Sequence, residues 1–180
     1  AGHFTNAGIP ALLFDINIEL VSSGLENLTK LRPAPLYKPK NSELITPCTY
    51  ENDLEKLSEV DFVLEAVAEN LDIKHTVYKN IIPHLKDSVI ISSNTSGIPL
   101  EDLIKVFPDN LQSRFLITHF FNPPRYMRLL ELVKGSKTDK NVYEKLVVLG
   151  ENILGKGIVH AKDTPNFIGN RIGVHGANNA

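Results

Sequence analysis

The chain has 180 residues, a formal charge of -2 and 42% hydrophobic residues. That length suits one globular domain with a real core, and that charge gives no global attraction to nucleic acid or to an anionic membrane surface. No apolar run approaches the roughly 18 residues of a membrane span, and the single Cys48 leaves no internal disulfide framework and fits a reducing compartment.

The six histidines fall without HxxEH or HxH spacing and no CxxC occurs, so no metal site is expected. No secretory signal is present, and a chain that starts at Ala1 without an initiator Met leads to the expectation of an upstream segment.

Ala1 to Gly8 reads as the end of a helix and a turn into a strand, Pro10 to Phe14, that ends in Asp15. An acid ending the second strand of a Rossmann unit can accept bonds from the adenosine ribose of NAD. Such an acid follows a GxGxxG loop by about 20 residues, and neither that loop nor the first strand is in the chain. Arg32-Pro33-Ala34-Pro35-Leu36-Tyr37 has no core period and reads as an extended connection. Asp61 to Val67 reads as a buried strand, followed by a helix from Asp72 through Leu85 that Pro83 breaks in its last turn. Ser88 to Ser92 is another strand and Pro99 to Val106 a short helix with proline at its start. Arg114 to Phe120 and Leu129 to Val133 are strands on either side of a proline-rich turn. Asn141 to Leu154 is helical, with Val142, Leu146, Leu149 and Ile153 on one face, and Gly155-Lys156-Gly157 leads into a strand, Ile158 to His160. Ala177 to Ala180 does not read as helix. The alternation predicts an α/β fold, a mainly parallel sheet covered by helices.

In such a sheet ligands sit beyond the carboxyl ends of the strands. The polar residues there are Asp15, Glu69-Asn70, Asn94-Thr95-Ser96 and His119, each of them also an ordinary turn or cap residue. If the strands flanking Arg125 lie antiparallel, residues equidistant from it face each other, and His119 meets Glu131. A carboxylate on one imidazole nitrogen makes a general base of fixed tautomer. The plainer reading is a packed histidine at a strand end and an edge glutamate.

Five ordered blocks carry a family resemblance: Asn6-Ala7-Gly8-Ile9-Pro10 with Asp15, Glu65 to Lys74, Ser92 to Ser96, His119 to Pro123, and Lys162 to Arg171. Together they resemble the NAD-binding domain of the L-3-hydroxyacyl-CoA dehydrogenases, and the continuation Pro124-Arg125-Tyr126-Met127 is most similar to bacterial multifunctional fatty-acid oxidation proteins. The resemblance implies a Rossmann-like, doubly wound domain over residues 1–165, lacking its first strand and glycine loop here, with 166–180 the start of an all-helical domain. It implies oxidation of an L-3-hydroxyacyl-CoA, with His119 as base, Glu131 orienting it, and Ser96 and Asn170 on the substrate's oxygens. It assigns Asp15, Glu69, Lys74, Ser96 and Asn122 to NAD, a homodimer to the full-length protein, and fusion to or association with an enoyl-CoA hydratase. A bacterial cytoplasm is the implied location, with an organelle as the alternative. The stretch from Asn17 to Leu31 is shorter than the family leads one to expect, and the contacts to CoA come from that region. Two other functions compete: a dehydrogenase of a free 3-hydroxy acid, and a non-catalytic fragment acting as a binding domain.

Overall fold

A computed structural model describes residues 1–178. In chain order the main elements are α1 (Gly2–Asn6), β1 (Ala11–Asp15), α2 (Ile18–Lys30), β2 (Ile45–Thr49), β3 (Phe62–Glu65), α3 (Leu71–Ile81), β4 (Ile90–Ser93), α4 (Leu100–Leu103), α5 (Asp109–Gln112), β5 (Phe115–Phe120), β6 (Leu129–Lys134), α6 (Lys140–Val148), β7 (Gly157–Ala161) and α7 (Gly169–Asn178). Helix starts follow from local chemistry. Asn17 Oδ1 accepts Leu20 N–H, Asn70 Oδ1 accepts Ile73 N–H, and Asp139 accepts the amides of Asn141 and Val142. Pro83 ends α3 in a tight 3₁₀ turn, Ile82–His84. No described helix is long and apolar enough to cross a membrane.

The strands form two hydrogen-bonded groups. β1 pairs with β2 in parallel, and the other five run in the order β3-β4-β5-β6-β7 with only β5 and β6 antiparallel. In the usual doubly wound order a first strand lies between the second and the fourth. Here β1 and β3 take those two places, and the hydrogen bonding is interrupted between them. The expected mostly parallel, Rossmann-like sheet without its first strand is what the chain forms.

Burial alternates along the central strands. Ile91, Phe115, Ile117 and Val133 face one core with Tyr78, Leu100, Leu103, Phe107 and Phe167. Ile90, Leu116, Leu130 and Leu132 face a second core with Val142 and Leu146. The same alternation carries His119 and Glu131 to the first face, two residues beyond Ile117 and two before Val133.

Some elements depart from the sequence-based expectation. The sequence does not predict β2, because Pro47 interrupts it; the proline is tolerated since β2 pairs on one side only. Nor does it predict α2, because the Ser22-Ser23-Gly24 segment is a poor helix former and the only buried residue is Val21. The helix expected over Asn141 to Leu154 divides into α6 and a π turn, Leu149–Ile153. At the other end α7 runs through Ala177 and Asn178, where no helix is expected, while Asn179 and Ala180 lie outside the described residues.

Gly150, buried in the π turn, lies against β7: a methyl group there would meet Ile158 Cδ1 at 2.6 Å. Overpacking of this kind destabilises by about 1–3 kcal/mol. Gly150→Ala is expected to lower the urea midpoint accordingly with an unchanged m-value; a midpoint equal to the parent's contradicts the close approach.

Candidate active site

β5 and β6 put His119 directly opposite Glu131 in the ladder. His119 Nδ1 lies 2.7 Å from Glu131 Oε2, with His119 4% and Glu131 0% exposed. A carboxylate only accepts, so Nδ1 carries a proton, and in the neutral imidazole Nε2 keeps its lone pair. Nε2 is 3.2 Å from Ser96 Oγ, which donates to it. The second Glu131 oxygen accepts the amides of Ile168 (2.9 Å) and Gly169 (2.7 Å) at the start of α7. The imidazole sits between two rings, Phe121 at 4.6 Å and Phe167 at 5.7 Å between centroids. A buried imidazole with a fixed tautomer, its Nε2 lone pair engaged only by the Ser96 hydroxyl, can take a proton from a substrate hydroxyl that replaces that donor.

A second polar cluster lies under the neighbouring strand ends. Glu65, 4% exposed, accepts four bonds: Lys74 Nζ (2.8 Å) and Val67 N (2.7 Å) on Oε1, Tyr78 Oη (2.7 Å) and Ser93 Oγ (2.6 Å) on Oε2. Burial, reinforced by the charge of Glu65, pushes Tyr78 up and keeps it a donor. Lys74 also reaches Glu69 Oε2 at 3.3 Å, and Glu69 Oε1 accepts Thr95 Oγ1 and the amides of Ser96 (2.8 Å) and Gly97 (3.2 Å). Hydrogen-bonded neighbours thus run from Tyr78 through Glu65, Lys74, Glu69 and Ser96 to His119. Asn94 Oδ1 ties the same loop to β5 by accepting Phe120 N–H at 2.9 Å.

The structure brings Ser96, His119 and Glu131 into contact and places Glu69 at the loop that carries Ser96. Lys74, expected on the groove wall, is 1% exposed and bonded to Glu65, Glu69 and the Val67 carbonyl. It lies beneath the wall and supports Glu69, since burying its ammonium requires full pairing. Asn170 stands in the first turn of α7, one residue past the amides bound to Glu131, and Asn122 is exposed after β5. Sequence reasoning missed Glu65, Phe121 and Phe167. Glu65 carried a readable signal, a charge inside an otherwise apolar strand.

The chain's residues fit a dinucleotide at two places. Asp15 ends β1 with Oδ1 on the Ile16 amide (2.8 Å) and Oδ2 without a protein partner among the described residues. Beside it lies a cleft of about 600 Å³ lined by Ile16, Tyr50, Asp72, Ile73, Thr76 and Val77. Ile16 and Ile73 are 70% and 46% exposed there, apolar surface suited to a flat ring. At the other end Ser96 contacts His119, and Glu69 holds the loop that carries Ser96. The glycine loop that grips a pyrophosphate is not among the 180 residues.

Comparison with known proteins agrees with this arrangement. The family of 3-hydroxyacyl-CoA dehydrogenase, NAD binding domain, matches residues 1–164. A probable 3-hydroxyacyl-CoA dehydrogenase of Bacillus subtilis is 42% identical over 197 residues, covering 98% of the chain and 25% of the relative. A putative fatty acid oxidation complex trifunctional enzyme of Rickettsia felis is 48% identical over 155 residues, covering 86% of the chain and 22% of the relative. The chain therefore spans about a quarter of the length of these two relatives. The Bacillus alignment is longer than the chain's own 180 residues, so the relative carries extra residues inside the aligned span. Among solved structures, (S)-3-hydroxybutyryl-CoA dehydrogenase from Ralstonia eutropha superposes with a TM-score of 0.81 at 28% identity, covering 99% of this chain and 69% of that one.

Burial opposes the charge on Glu69, but the Thr95 hydroxyl, the Ser96 amide and Lys74 outweigh it and hold the carboxyl below its ordinary value. A carboxylate lowered on folding stabilises the fold above its unfolded pKa, and that contribution is lost as pH falls through the lowered value. The side chain is 45% exposed, so the effect is small. The stability advantage over Glu69→Gln is expected to be constant near neutral pH and to vanish in acid; a gap that persists at low pH contradicts it.

Proposed function

The chain belongs to the 3-hydroxyacyl-CoA dehydrogenase family, a family of oxidoreductases, as its NAD-binding domain, and on that premise we propose that the polypeptide carrying it oxidises an L-3-hydroxyacyl-CoA to the 3-ketoacyl-CoA. The observation that supports this reading best is the buried Glu131–His119–Ser96 line, with Nε2 as the basic atom on the Ser96 side. The substrate's 3-hydroxyl sits beside Ser96, and His119 Nε2 takes its proton. Glu131 holds Nδ1–H and stabilises the imidazolium that results. Asn170 on α7 and Ser96 orient the substrate's oxygens. Asp15 holds the adenosine ribose, and Glu69, Ser96 and Asn122 hold the nicotinamide end, with Lys74 keeping Glu69 in place. NAD, when bound, accepts the hydride from C3. In the reverse direction the imidazolium returns the proton to the developing alkoxide.

Fatty-acid oxidation is the setting that the Rickettsia relative's name supports; a neighbouring hydratase part and a bacterial cytoplasm belong to the proposal through the family resemblance. The homodimer and the helical domain beginning near residue 166 belong to this proposal as well.

The experiment is NADH formation with 3-hydroxybutyryl-CoA. General-base catalysis contributes about 10²–10⁴-fold, so His119→Gln is expected to cut kcat by that order while NAD affinity stays near the parent's. Full activity in that variant removes His119 from the role. Glu131→Gln puts an amide where a carboxylate was; its NH₂ donates to Nδ1 and leaves the proton on Nε2. A fall of about 10³-fold or more with little change in KM is expected, and parent-like turnover contradicts the tautomer argument.

A further inference from the structure

Glu131 uses only one of its oxygens on His119. The other is held by two consecutive amides, Ile168 N and Gly169 N, that no role assigned so far accounts for. Those amides reach it because the two preceding residues adopt left-handed backbone: Asn166 at φ 62° and Phe167 at φ 45°. Asparagine tolerates that region, but a bulky aromatic does so rarely. What secures Phe167 is its side chain, 1% exposed and part of the first core with Leu100, Leu103 and Val133. The ring also stands edge-on to His119 at 5.7 Å. The turn is fastened on its N-terminal side: Phe167 N–H donates to Thr164 O at 3.0 Å, and Asp163 accepts the Leu100 amide at the start of α4. A Cβ on Gly169 would meet Phe121 Cζ at 2.6 Å, so that ring packs close against the start of α7.

We propose that Phe167 is a positioning residue for the base: its buried ring fixes the left-handed turn whose next two amides set the Glu131 rotamer, and Glu131 in turn fixes the His119 tautomer. The inference rests on the His119–Glu131 reading above and deepens it. With both oxygens occupied, Glu131 has one orientation in which every partner is satisfied. Free of the amides, its carboxylate rotates, and a buried acceptor left unpaired draws in water or the wrong donor. The same anchor holds Asn170, the next residue along α7, at a fixed distance from His119.

The test is NMR of the 180-residue chain labelled with ¹⁵N-histidine, with the His119 signals assigned by their loss in His119→Gln. The parent is expected to show the proton on Nδ1, strongly deshielded by Glu131. Phe167→Gly is expected to lose that signal and give the mixed tautomers of an unrestrained imidazole, while Phe167→Leu, which refills the core, retains it. A folded Phe167→Gly chain with the parent's His119 spectrum overturns the proposal. If Phe167→Gly does not fold, Asn166→Pro decides the matter: proline cannot adopt the φ of 62° at this exposed position, so the turn that carries the amides changes without opening the core, and loss of the deshielded proton supports the proposal while its retention overturns it. In turnover, Phe167→Gly is expected to lower kcat about 100-fold, the size of a displacement near 1 Å at the reacting groups, with KM for NAD unchanged. The spectroscopic result needs no turnover. A chain inert toward 3-hydroxyacyl-CoA that still shows the tautomer change sinks the proposed activity and leaves this inference standing.

Discussion

A carboxylate with no solvent exposure at all organises the site. Glu131 is charged only if its environment replaces water, and an uncompensated buried charge is intolerable in a domain of ordinary stability. Three donors replace water here: one imidazole and two backbone amides. Acid and donors come from three separate pieces of chain, β6 supplying the acid, β5 the imidazole, and the turn before α7 the amides. Antiparallel pairing of β5 with β6 in an otherwise parallel sheet is what puts acid and imidazole on one face. A register shift of one residue turns Glu131 toward the opposite core, where Leu116, Leu130 and Leu132 pack and neither the imidazole nor the two amides can reach it.

Glu65 is a second buried carboxylate, and it solves the same problem differently. Its four donors include a buried ammonium, so its charge is neutralised within the cluster, whereas Glu131 is held by an imidazole and two backbone amides. Buried ion pairs of the Glu65–Lys74 kind are weak stabilisers, because desolvation offsets much of the attraction. Their value is geometric. Lys74 is buried and directs its donors to Glu65, Glu69 and a carbonyl, so Glu69 stands on a fixed support. Glu69 in turn binds two amides of the loop that presents Ser96. Both sides of the imidazole are therefore set by carboxylates, Glu131 directly and Glu69 through the serine.

What could be read from the sequence was whatever depends on period or on strand ends. The alternation of apolar residues located β1, β3, β4, β5, β6 and β7, and equal distance from Arg125 located the His119–Glu131 pair, since antiparallel register is arithmetic once the turn is known. β2 was hidden because Pro47 signals a break, while the fold tolerates it on an unpaired edge. α2 was missed although Ile18, Val21, Leu25 and Leu28 recur at helical spacing, because Ser22-Ser23-Gly24 interrupts the run with poor helix formers. Lys74 was assigned to NAD by the family resemblance; the structure buries it on Glu65, a partner that only the charge of Glu65 inside a strand could have indicated. Phe167 was beyond reach. A left-handed phenylalanine leaves no trace in composition, and its burial is decided by residues far away in the chain.

The connection from Phe121 to Arg128 joins the base to its partner and has no regular structure, so its rigidity must come from elsewhere. Two cations supply it. Lys156, 5% exposed, donates to the carbonyls of Pro124 and Met127 from inside the turn. Arg125 reaches out to the carbonyls of Ala34 and Leu36, both at 2.7 Å, with its guanidinium over the rings of Tyr37 and Tyr126. Every acceptor in that set is a neutral carbonyl. Carboxylates would have held the cations more strongly, but would have added negative charge to the short loop between His119 and Glu131. Neutral acceptors stiffen the loop and leave Glu131 as the carboxylate bonded to the imidazole. The selectivity of the pair thus depends on what surrounds the loop as much as on the two residues themselves.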